Sequence, residues 1–119
     1  MYRILLVDDD QNIVDGLGSI IKQNFENIFV ISSACDGSDA LKRLTEDYYH
    51  VIISDIRMPK LDGIEMLRRL REEGNRAHVV FLTAYSDFSY AQSALKLGAA
   101  DYLLKPFHDG ELEETIARI

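Results

Sequence analysis

The sequence predicts a doubly wound α/β domain, with five parallel strands covered on both faces by five helices. Three observations lead there. The apolar runs Ile4-Leu5-Leu6-Val7, Val51-Ile52-Ile53 and Val79-Val80-Phe81-Leu82 are continuous rather than alternating, as in strands buried on both faces. Between the runs stand segments whose apolar residues recur three and four apart, the helical period. Strands and helices alternate five times within 119 residues, a pitch that requires parallel strands joined by right-handed crossovers.

The elements follow in order. The first strand ends in Asp8-Asp9-Asp10, with Asp10 placed to cap the helix whose stripe is Ile13, Leu17, Ile20 and Ile21. Ile28 to Ser33 is β-rich and predicts a strand, and Cys35 reads as a small buried hydrophobe in a strand. Asp36-Gly37 breaks it, and Ala40, Leu41 and Leu44 mark a short helix. Val51 to Ser54 then delivers Asp55 to a strand end, and Pro59 stops regular structure. Asp62 with Glu65 three residues on predicts a capping box for a helix buried through Ile64, Leu67 and Leu70 and ended by Gly74. The next strand finishes at Thr83-Ala84. Ser86 or Asp87 caps the helix carrying Ala91, Ala94 and Leu95, which Gly98 stops. Tyr102-Leu103-Leu104 is the last strand, Lys105-Pro106 follows, and Leu112 and Ile116 belong to a final helix.

Length and composition bound the possibilities. At 119 residues, 47% hydrophobic and 28% charged, the chain reads as one domain. The abrupt end of the last helix suggests the N-terminal part of a longer protein. The net charge of -7 argues against gripping nucleic acid or an anionic membrane through charge. No apolar run approaches the ~18 residues of a membrane span. The single cysteine rules out an internal disulfide and fits a reducing compartment.

The chemistry gathers at strand ends. Asp8 and Asp9 follow strand one, Asp55 strand three, Thr83 strand four and Lys105 strand five. In a doubly wound sheet these carboxyl ends form one rim, where ligands bind. Two carboxylates ~4 Å apart cost about 4 kcal/mol at an effective dielectric near 20. Three on one rim therefore call for cations. Lys105 supplies one, and a hard divalent ion such as Mg²⁺ supplies the rest. So equipped, the rim suits phosphoryl transfer. Asp55, alone on its strand, is the natural nucleophile, with Asp8 and Asp9 to hold metal, Thr83 as hydroxyl donor and Lys105 as ammonium.

Val7-Asp8-Asp9, Asp55-Ile56-Arg57-Met58-Pro59 with Gly63, Thr83-Ala84 and Lys105-Pro106-Phe107 resemble the receiver domain of two-component response regulators, across the whole chain. The resemblance implies a flavodoxin-like (CheY-like) sheet in the order 2-1-3-4-5. It implies phosphorylation of Asp55 by a histidine kinase, and Mg²⁺ held by Asp8, Asp9, Asp55 and the main-chain carbonyl of Arg57. It gives Thr83 and Lys105 contacts to the phosphoryl oxygens and makes Lys105-Pro106 a cis bond. It also implies a switch through Thr83 and Tyr102 that changes the surface of helix four, strand five and helix five, with homodimerisation on phosphorylation. The stretches from Ala84 to Phe88 and from Asp101 to Phe107 resemble regulators with an AraC-type DNA-binding output, which implies a cytoplasmic transcription regulator whose DNA contacts lie in another domain. One departure is His108, where the family often has Asp; Asp109 is the alternative cap for the last helix.

Singly, each residue has a plainer reading. The acidic triplet is a capped turn, Thr83 ends a strand, Lys105 is a surface lysine, Tyr102 is strand packing, and Arg57 is solvated. His50, His78 and His108 lack metal-ligand spacing. Jointly the residues favour the receiver. Three other functions compete with it. Asp8-x-Asp10 resembles the nucleophile motif of haloacid-dehalogenase-type phosphatases, which leaves Asp55 idle. A nucleotide or flavin carrier on the same sheet needs a glycine in the turn after strand one, and none is there. A receiver that only docks leaves all five rim residues without a task. The receiver reading makes the chain no enzyme toward external substrates, assisting only its own phosphorylation and dephosphorylation.

Overall fold

Ile4, Leu5 and Leu6 are three successive residues with no exposed surface, so the strand holding them is covered above and below. The structure is a computed structural model that describes residues 2–56, 58, 61–83, 88–104 and 110–118, and for residues 83, 88–91 and 104 the backbone alone. The strands are β1 (Tyr2–Val7), β2 (Phe29–Ala34), β3 (Val51–Ser54), β4 (His78–Thr83) and β5 (Asp101–Leu104). The helices alternating with them are α1 (Gln11–Asn24), α2 (Gly37–Glu46), α3 (Gly63–Glu72), α4 (Phe88–Lys96) and α5 (Glu111–Ala117). All pairings are parallel, in the order β2-β1-β3-β4-β5. Among the described residues no helix is long and apolar enough to cross a membrane.

Because side chains alternate along a strand, each central strand feeds two cores. Leu5, Val7, Ile52, Val79 and Phe81 meet Ala40 of α2, Met66, Leu67 and Leu70 of α3 and Ala94 of α4. Ile4, Leu6, Val51, Ile53, Val80 and Leu82 meet Val14, Leu17 and Ile21 of α1 and Leu112 and Ile116 of α5. This double burial is why the strands read as unbroken apolar runs.

Several sequence expectations shift in detail. The buried line of α1 is Val14, Leu17 and Ile21, with Ile13 and Ile20 flanking it. In α3 Met66 is buried and Ile64 flanks. β2 runs Phe29–Ala34 rather than from Ile28 to Ser33. As an edge strand it has only one neighbour to fix its ends, and Ile28 instead gives its carbonyl to Tyr2 N–H at 3.0 Å. Cys35 lies past the strand end and is exposed, not a buried hydrophobe in a strand.

Helix ends follow local chemistry. Asp10, Asp36 and Asp62 cap α1, α2 and α3 by accepting from Asn12, Asp39 and Glu65 N–H at 2.9, 2.8 and 2.8 Å. The Glu65 side chain pairs with Arg68 and Arg69, and the Arg68 hydrogen bond holds its carboxyl below the usual range. Gly74 and Gly98, at φ of +80° and +86°, end α3 and α4. Each sends the next residue's N–H back to the helix, Asn75 to Leu70 and Ala99 to Ala94, both at 2.9 Å. At α5 the N-cap position is Gly110 at φ 90°, without a side-chain cap bond of its own, and the expected cap Asp109 lies outside the described residues. Glu111, Glu113 and Glu114 in the first turn face the positive end of that helix instead.

Candidate functional site

Strand register brings the acidic residues together. Val7 and Ser54 are partners on β1 and β3, so Asp8 and Asp55, one step beyond each, emerge side by side. Main-chain bonds fix both positions: Asp8 N–H donates to Ala34 O at 3.2 Å, and Asp55 N–H to Val7 O at 3.0 Å. Asp8 is 5% exposed and its Oδ1 accepts the Asp10 N–H at 2.9 Å. Asp55 is half-buried and its Oδ1 accepts the Ile56 N–H at 2.7 Å. Asp9 is exposed.

One carboxylate oxygen from each of Asp8, Asp9 and Asp55 lies within 4.8 Å of the others. An octahedral Mg²⁺ with bonds of about 2.1 Å sets its ligands about 3 to 4.2 Å apart, so modest side-chain adjustment seats the ion. The donor set is all oxygen and formally anionic, which suits a hard divalent cation and leaves positions for water and phosphate oxygens.

The other expected residues divide by strand. Ser54 pairs with Phe81, so Thr83, two residues on, closes β4 at the same rim. Tyr102 pairs with Phe81 on β5 and is half-buried against the core shared by α2, α3 and α4. Lys105, Arg57, the Lys105-Pro106 bond, the Ser86 and Asp87 caps, and His108 and Asp109 lie outside the described residues.

Two supports escape a sequence reading. The Ser54 hydroxyl, 1% exposed, donates to Asp55 O at 2.8 Å. Gly63 N–H donates to Ile56 O at 2.7 Å, and a Cβ there would fall 2.6 Å from Asp55 O and 2.7 Å from Phe81 Cε1. Only glycine lets α3 start this close to the strand end that carries Asp55. The Gly63 spacing was visible in the motif; its steric reason was not.

Comparison with known proteins agrees with this geometry. The family model of the response regulator receiver domain matches residues 4–117. The chain is 33% identical to the transcriptional regulatory protein YesN of Bacillus subtilis, over 100% of this chain and 33% of YesN. It is 38% identical to the regulatory protein AtoC of Escherichia coli, over 98% of this chain and 24% of AtoC. The chain thus spans a third or less of either relative's length. Among solved structures it is similar to the response regulator protein TrrA of Thermotoga maritima in complex with Mg(2+)-BeF, with TM-score 0.86 and 33% identity over 99% of this chain and 98% of that one. It is also similar to the N-terminal domain of a Wolinella succinogenes protein, with TM-score 0.88 and 36% identity over 99% of this chain and 93% of that one. Matched almost from end to end, the chain belongs to the response regulator receiver domains, the family that takes a phosphoryl group onto an aspartate and switches an output.

Proposed function

We propose that Asp55 is the residue that receives the phosphoryl group, from a phosphohistidine of a sensor histidine kinase. The observation that carries this reading is the convergence of Asp8, Asp9 and Asp55 at the ends of two adjacent central strands. An Asp55 carboxylate oxygen attacks phosphorus, the N–P bond of the donor breaks, and the released imidazole nitrogen takes up a proton. Asp8 and Asp9, with the Arg57 main-chain carbonyl, hold Mg²⁺ beside Asp55. Bound Mg²⁺ supplies positive charge to the phosphoryl oxygens. Thr83 donates its hydroxyl to one of those oxygens and Lys105 its ammonium to another. Thr83 closing β4 supports its part, and Lys105 directly follows Leu104, the register partner of Thr83.

The output runs through Thr83 and Tyr102 to the surface of α4, β5 and α5, where phosphorylation promotes homodimerisation. The half-burial of Tyr102 against the core containing Ala94 of α4 supports this route. The chain is one receiver domain, the N-terminal part of a longer cytoplasmic transcription regulator with an AraC-type output. It turns over no external substrate and assists only its own phosphorylation and hydrolysis. DNA contact belongs to the output domain.

The test is incubation with acetyl phosphate and Mg²⁺, followed by mapping of the label by mass spectrometry. The expected label is on Asp55, and Asp55→Asn takes up none. Label on Asp8 would overturn the reading in favour of a phosphatase with Asp8 as nucleophile and Asp10 as acid/base. Against that alternative, Asp10 Oδ1 is engaged as the cap of α1.

A further inference from the structure

Arg71, in the last turn of α3, spends its side chain on main-chain carbonyls of two separate segments. Its Nη1 donates to Asn75 O at 2.9 Å and its Nη2 to Ala77 O at 3.0 Å, both in the connection to β4. Its Nε donates to Leu97 O at 3.2 Å and its Nη2 also to Gly98 O at 3.0 Å, both at the C-terminal end of α4. The last carbonyls of a helix have no partner within it and carry the negative end of its dipole. A planar guanidinium with five donors meets several of them at once, which an ammonium on a flexible stem does not. The end of α4 is further fixed by Ala100 N–H, which donates to Val79 O on β4 at 2.8 Å.

A helix held at one end moves by turning about that end. The nine residues of α4 span about 13 Å, so a turn of about 10° carries its N-terminal end by about 2 Å. That N-terminal end, Phe88, comes five residues after Thr83, which closes β4 at the rim that holds Asp55. We propose that Arg71 is a positioning residue for the switch: its guanidinium ties the C-terminal end of α4 to α3, so that α4 answers phosphorylation by turning about this end rather than by shifting as a whole. The proposal rests on Asp55 being the phosphoacceptor.

The test follows backbone amide shifts by NMR as beryllofluoride and Mg²⁺ are added to the wild type, Arg71→Lys and Arg71→Ala. In the wild type the shift changes are expected to fall along α4 toward Leu97, Gly98, Ala99 and Ala100. In Arg71→Ala that gradient flattens, with the last four amides changing at least threefold more than in the wild type. Arg71→Lys keeps the charge and the methylene packing, and gives an intermediate gradient even where Arg71→Ala does not fold. A wild type without the gradient overturns the proposal. So does an unchanged gradient in Arg71→Lys alongside a lowered Tm, because a merely structural tie alters stability and not the pattern of response. If the wild-type amides of Asp8, Asp9 and Asp55 do not respond at all, the phosphoacceptor reading itself fails, and the tie loses its role in switching with it.

Discussion

Replacing Gly63 by alanine tests how tightly the site is built. The added Cβ would stand 2.6 Å from Asp55 O, 2.7 Å from Phe81 Cε1 and 3.1 Å from Ile56 Cα. Two of these three atoms are backbone, and the third belongs to a ring with no exposed surface, so none can swing away. Gly63 does not have a positive φ, so the penalty is steric and not conformational. Overfilling a close-packed interior costs about 1–3 kcal/mol. Alanine's better helix propensity returns at most about 1 kcal/mol, and less at a first helical position. The net loss of about 1–2 kcal/mol lowers the Tm of a domain this size by about 4–8 °C. Gly16→Ala is the control, because Gly16 lies within α1 with nothing within 4 Å of its would-be Cβ. It should raise Tm by a few degrees, from about 0.5–1 kcal/mol of recovered propensity. Calorimetry of both variants, with acetyl phosphate labelling of Gly63→Ala, makes the comparison. The displaced atom is the Asp55 carbonyl, so labelling should slow as well. A Gly63→Ala protein as stable as the wild type and labelled at the same rate would refute the steric argument.

Other outcomes follow from the same contacts. Asp9→Asn removes one of three converging charges, so it should raise the Tm measured in EDTA and abolish the further rise that Mg²⁺ gives the wild type. Glu65 has its carboxyl held low by Arg68, so its contribution is present above the ordinary carboxylate pKa and is lost as pH falls through its own lower value; thermal melts across that acidic window should show a shallower decline for Glu65→Gln. Partial desolvation and the carboxylates of Asp36 and Asp39 push the exposed Cys35 thiol up, so Asp39→Asn should speed its alkylation by iodoacetamide at mildly alkaline pH.

How much of this was legible depended on whether the cause was local. Continuous apolar runs gave the central strands, because Ile4 to Val7 and Val51 to Ile53 are covered on both faces. Aspartates and glycines marked the ends of α1, α2, α3 and α4, because a cap bonds within its own turn. The carboxylates could be placed on one rim because parallel strands all point their ends the same way. Val14 and Met66 were missed because a stripe read from spacing alone does not say which flank turns toward the sheet. Cys35 was misread because cysteine is usually buried, whereas here it falls in the connection between β2 and α2 and is exposed. Neither the Ser54 hydroxyl beneath Asp55 nor the reach of Arg71 to Leu97 and Gly98 leaves a pattern in sequence, since backbone carbonyls accept bonds whatever residue bears them.

Asp8 and Asp55 hang from β1 and β3, strands flanked on both sides, whereas Tyr102 belongs to β5, which has a neighbour on one side only. With the roles proposed above, the receiving group hangs from strands paired on both sides, while the reporter sits on the margin of the sheet. Substitutions that retune what the domain tells its partners can accumulate on the margin without disturbing how it is charged. Changes beneath the carboxylates have no such latitude, because each also loosens the middle of the sheet.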